Sequence, residues 1–117
     1  QDTEMFIKEV DSPQLVSKME ENDDLVIIDV REMHEINRGT IQGAIPMPMA
    51  TIPVRLDEIP KDKEVVFICR SGARSGQVCM FLGQHGYENV INLSGGIIGW
   101  VRSGYQPVLP DQVSSTY

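Results

Sequence analysis

The chain has 117 residues, 41% apolar and 23% charged, a balance typical of one globular domain long enough to bury a core. A formal charge of −7 argues against nucleic-acid binding, which calls for a basic face, and mainly implies solubility. Two cysteines do not make a disulfide framework, and no apolar run approaches the ~20 residues of a membrane span.

Strand and helix patterns alternate, which favours a parallel α/β sheet. Residues 1–4 are expected to be a tag or a processed remnant ahead of Met5, and the domain is expected over residues 5–110. Phe6 to Val10 reads as a first strand. Ser12 reads as a helix N-cap with Pro13 in the first helical position, and Leu15, Val16 and Met19 share one face. Asn22-Asp23-Asp24 ends that helix, and Leu25 to Val30 follows as a central strand buried on both faces. A short helix from Met33 to Asn37 is closed by Gly39. Gly43 to Pro48 is proline-rich and suits an edge strand.

Thr51 and Pro53 open another short helix, with Val54 and Leu56 as its apolar positions and Pro60 at its end. Glu64 to Cys69 is the second strong strand, and Val78, Phe81 and Leu82 form the buried face of a helix that Gly86 stops. Val90 to Leu93 is the last strand, and Ser94-Gly95-Gly96 turns into a final helix carrying Ile97, Trp100 and Val101. Asp111 to Tyr117 reads as a polar tail.

The chemistry concentrates at Cys69-Arg70-Ser71-Gly72-Ala73-Arg74. A thiol at the carboxyl end of a strand faces the amino terminus of the next helix, where backbone N–H groups and partial positive charge stabilise an anion. Gly72 permits the turn that lets successive N–H groups converge. Arg70 and Arg74 add charge that lowers the thiol pKa and attracts an anionic substrate into an acidic protein. A cysteine that only packs needs none of these features. Cys79 reads as a packing residue of the following helix, and His34 and His85 have no ligand-spaced partner, so no metal or cofactor is expected.

Four motifs resemble those of single-domain rhodaneses, a family of sulfurtransferases. They are Asp29-Val30-Arg31-Glu32, Gly39-Thr40-Ile41-Gln42-Gly43-Ala44, the Cys69 loop, and Gly95-Gly96-Ile97-Ile98-Gly99-Trp100. The second departs from the family pattern, with Thr40 at the usual His and Gln42 at the usual Pro, which puts local packing in question more than catalysis. The resemblance implies a rhodanese-like α/β fold: a mainly parallel five-stranded sheet with helices on both faces.

It also implies sulfur transfer through a Cys69 persulfide, from thiosulfate or a persulfide donor to a thiol or cyanide. A sulfur-acceptor protein is an alternative partner, and a non-turnover sulfur carrier or regulatory module an alternative role. The family's sulfurtransferases use a six-residue loop, matched by Cys69 to Arg74, whereas phosphatase and arsenate reductase relatives use seven. Ser75 stands where a seven-residue loop would place its arginine. Arg70 is the candidate for the donor's sulfonate, and Ser71, Gly72 and Ala73 for the cradle. Arg74 either binds substrate or pairs with Glu32 or Glu35. Asp29 and Arg31 support the site, more simply as an ion pair that fixes the loop than as ligands. The missing signal-peptide pattern points to a cytoplasmic location, with a periplasmic or exported one as the alternative.

Overall fold

The computed structural model describes residues 7–110. The expectations for Phe6, for residues 1–4 and for the tail at residues 111–117 lie outside the described residues.

Among the described residues five strands and four α-helices follow in chain order: β1 (Lys8–Val10), α1 (Ser12–Glu21), β2 (Val26–Asp29), α2 (Met33–Ile36), β3 (Ile45–Pro46), β4 (Val65–Ile68), α3 (Ala73–Gln84), β5 (Val90–Leu93) and α4 (Gly96–Arg102). The five strands form one all-parallel sheet in the order β1-β5-β4-β2-β3. The strong apolar runs take the central places, because only there are both faces of a strand covered.

Side-chain alternation sorts the core into two layers. Ile28, Val65, Phe67 and Cys69 point to the face that holds Val78, Cys79 and Leu82 of α3. Ile27, Val66, Ile68, Ile91 and Leu93 point to the opposite face, against Leu15 of α1 and Trp100 of α4. The sheet therefore has helices on both faces, as the resemblance implies. Cys69, one residue beyond β4, keeps the phase of Val65 and Phe67, so its sulfur is carried to the α3 side.

Two expectations are corrected. Asp11, not Ser12, is the N-cap of α1: its carboxylate accepts from the Gln14 N–H at 2.9 Å, and the Gln14 side chain accepts from the Asp11 N–H in return. Ser12 is then the first helical residue and Pro13 the second, where a missing N–H costs nothing. The segment after β3 is not an α-helix but two 3₁₀ turns, Met49–Val54 and Leu56–Glu58. Its three-residue repeat turns Ile52 inward and leaves Val54 83% exposed.

Candidate active site

Four residues after β4 carry the chain into α3. Gly72, the N-cap of α3, has φ +102°, a left-handed conformation that turns its N–H back to the Cys69 Sγ at 3.0 Å. The Ser75 Oγ lies 3.3 Å from the same sulfur. The first intrahelical bond runs from the Gly76 N–H to the Gly72 carbonyl, so the N–H groups ahead of it have no helical acceptor. Burial is the largest influence on the Cys69 thiol and opposes ionisation. The Ser75 hydroxyl and the N–H groups of Ser75, Gly72 and Ser71 together outweigh it, holding the thiol below its ordinary value.

The loop is pinned from two sides. On one, α4 sends the Ile97 N–H to the Cys69 carbonyl at 2.9 Å and the Ile98 N–H to the Arg70 carbonyl at 3.1 Å. Gly96 makes this approach possible, since a Cβ there would stand 2.5 Å from both carbonyl oxygens. On the other, the Asn92 Nδ2 donates to the Gly72 carbonyl at 3.1 Å and to the Glu9 carboxylate at 2.9 Å. Those two acceptors fix the Asn92 amide, so its Oδ1 faces the Ser75 hydroxyl. The single hydroxyl proton of Ser75 thus has two acceptors, the Asn92 oxygen and the Cys69 sulfur. Turned to the sulfur, that proton supports a Cys69 thiolate.

The charged candidates divide. Arg74 donates through both terminal nitrogens to Glu35, at 2.8 and 2.9 Å, so of its alternatives the structure shows the carboxylate pair. That bond, more than any other influence, holds the Glu35 carboxyl down at about 2. Arg31 makes a bidentate pair with the fully buried Asp29 and donates to the Gly39 carbonyl at 2.6 Å. The Thr40 hydroxyl donates to the same carboxylate at 2.7 Å, so the departure at Thr40 completes a buried network. Arg70, Ser71 and Ala73 are exposed on the outside of the loop. Among the described residues no cluster of His, Cys, Asp or Glu could hold a metal ion, and no helix is long and apolar enough to cross a membrane.

A family model described as a rhodanese-like domain matches residues 12–103. The chain belongs to the rhodanese-like domain family. It is 47% identical over 106 residues to a protein named sulfurtransferase from Allochromatium vinosum, covering 91% of this chain and 99% of that one. It is 34% identical to the thiosulfate sulfurtransferase GlpE of Glaesserella parasuis, covering 79% and 85%. A solved rhodanese-related protein from Thermoplasma volcanium superposes with a TM-score of 0.79 at 29% identity, covering 87% and 98%. Other relatives are named as tRNA uridine(34) hydroxylases, and the matched region is only 28% of the length of the one from Hamiltonella defensa.

Within this rhodanese-like fold, sequence reasoning passed over Ser75, Asn92 and Thr40 as members of the site. Their signal was weak but present. Asn92 is a polar residue in the middle of an otherwise apolar strand, buried to 2% exposure, and such a group needs partners. Ser75 lies in the first turn of α3, within reach of the residue that opens the loop. Cys79, ten residues after Cys69, has no hydrogen-bond donor acting on its thiol; burial first, and Glu9 second, push it up to about 12.

Proposed function

We propose that the protein is a sulfurtransferase that carries sulfur as a persulfide on Cys69. The observation that supports this most is the Cys69 sulfur, 1% of the residue exposed, held 3.0 Å from the Gly72 N–H inside a six-residue loop. A thiol held this deep favours a partner that presents a small reacting atom. The terminal sulfur of thiosulfate or of a persulfide is such an atom. The Cys69 thiolate attacks it, the donor's S–S bond breaks, and sulfite leaves with the bonding pair when thiosulfate is the donor. The Arg70 guanidinium, exposed beside the loop, takes the sulfonate end. The loop N–H groups then neutralise the persulfide's outer sulfur. A thiolate or cyanide removes that sulfur, and the electron pair of the broken S–S bond returns to Cys69.

A phosphoryl group is a poorer match. It would need a bidentate guanidinium over the loop, where Arg74 is paired with Glu35 and the next position is Ser75. The test is intact mass after exposure to thiosulfate, for wild type and Cys69→Ser. One added sulfur in the wild type alone is expected; the same gain in the variant would move the chemistry to Cys79 and overturn the proposal. Rapid discharge to small thiols marks an enzyme, whereas stable loading without discharge marks a carrier that delivers to a partner protein.

A further inference from the structure

A cleft of about 250 Å³ opens beside the loop, walled by Arg31, Glu35, Arg38 and Arg70 and by the half-buried Ile97 and Ile98. It is smaller than the ~300–1,000 Å³ of pockets that enclose drug-sized ligands, so the group that enters it is small. Arg70 belongs to both cleft and loop, and the backbone of Ile97 and Ile98 is bonded to the carbonyls of Cys69 and Arg70. Whatever binds here lies against the segment that carries the thiol.

Its charge is unbalanced. Arg31 is matched by Asp29, and both oxygens of Glu35 are taken by Arg74. The chain has six arginines, and among the described residues three of them are paired, with Asp29, Glu58 and Glu35. Of the other three, Arg38 and Arg70 face this one cleft, and among the described residues neither makes a side-chain hydrogen bond or ion pair. Two like charges brought together in a protein of net charge −7 repel each other and do nothing for the fold. Next to them the half-buried Ile97 and Ile98 offer an apolar wall.

We infer that this cleft is a subsite for a small thiol bearing a carboxylate, and that Arg38 selects that carboxylate in the discharge step. The inference rests on the persulfide reading above. The thiolate attacks the outer sulfur of the Cys69 persulfide, a new S–S bond forms on the acceptor, and the old bond's electron pair goes to the Cys69 sulfur. Arg38 does not touch the reacting atoms; it holds the far end of the acceptor, and Ile97 and Ile98 cover the chain between.

Three thiols of similar size separate the charges: 3-mercaptopropionate, 2-mercaptoethanol and cysteamine. Discharge of loaded protein is measured for each, and the ratio of anionic to neutral kcat/KM is compared between wild type and Arg38→Gln, which cancels intrinsic thiol reactivity. A fall of about three- to tenfold in that ratio is expected, with a relative gain for cysteamine. Arg55→Gln removes the same charge elsewhere and is expected to leave the ratio alone. An unchanged ratio in Arg38→Gln overturns the inference. So does a variant that alters only loading from thiosulfate, since the cleft would then serve the donor. If the wild type takes up no sulfur, the persulfide reading fails by itself, and the cleft is read by NMR of arginine Nε–H signals. A saturable shift of Arg38 with 3-mercaptopropionate, absent with 2-mercaptoethanol, supports the subsite; no shift overturns it.

Discussion

Cys69 and Cys79 share one face of the sheet, and each is 1% exposed. Their thiols are nevertheless moved in opposite directions, Cys69 down and Cys79 up to about 12. Burial raises both, and Glu9 adds to it at Cys79; only Cys69 has hydrogen-bond donors, and they outweigh its burial. Cys79 lies inside α3, where the backbone N–H groups are engaged by carbonyls one turn back. Cys69 stands ahead of the same helix, where the first turn's N–H groups have no such acceptor. One helix thus supplies an anion cradle at its start and an inert packing site in its interior. A cysteine's reactivity here depends on which part of the helix it meets.

The sharpest way to break that contrast is to displace the cradle and leave both sulfurs in place. Gly96→Ala does this, because the new methyl would overlap the carbonyls of Cys69 and Arg70 and stand at φ +57°. We expect about 3 kcal/mol or more of lost stability and loss of sulfur uptake, read by urea unfolding and intact mass. A stable variant that still loads sulfur would show that α4 does not hold the loop.

Ser75→Ala is gentler and tests the donor itself. Alkylation of Cys69 by iodoacetamide, followed by peptide mass, should shift its midpoint to higher pH and slow several-fold at neutral pH. Cys79 in the same sample is expected to stay unreactive. A midpoint that does not move would mean that the Ser75 proton remains with Asn92 and that the backbone alone supports the thiolate.

The parts of this contrast that lie close together in sequence were legible there. The run from Val65 to Cys69, the left-handed Gly72 and the start of α3 are local features, and the pattern of apolar residues placed the sheet around them. What the sequence hid are pairings across distance. Asn92 lies seventeen residues beyond Ser75 and reaches it only because β5 pairs with β4. Thr40 read as a departure from a motif because its partner, Asp29, lies eleven residues back, on the other side of α2. The N-cap of α1 was missed by one residue for a simpler reason. Asp11 and Ser12 are both good caps, and the deciding contact is the reciprocal bond with Gln14.

The smallest expected effect concerns the other end of the loop, where Glu35 holds Arg74. The carboxyl lies at about 2 in the folded protein against an ordinary 4.5, mainly because Arg74 donates to it. A lowered folded value means that the pair stabilises fully above about pH 4.5 and loses its contribution as pH falls toward 2. Arg74 is 35% exposed, so solvent screening trims the gain to about 1 kcal/mol. Glu35→Gln should therefore be less stable than wild type at pH 7, and the gap should close in unfolding curves taken toward pH 2. The same substitution removes a negative charge near the loop and leaves the Arg74 charge unmatched, so the Cys69 alkylation midpoint should move down. Ser75→Ala and Glu35→Gln then push one thiol in opposite directions while Cys79 stays where it is. If both moved it the same way, a general loosening of the loop, and not donors and charge, would set the reactivity of Cys69.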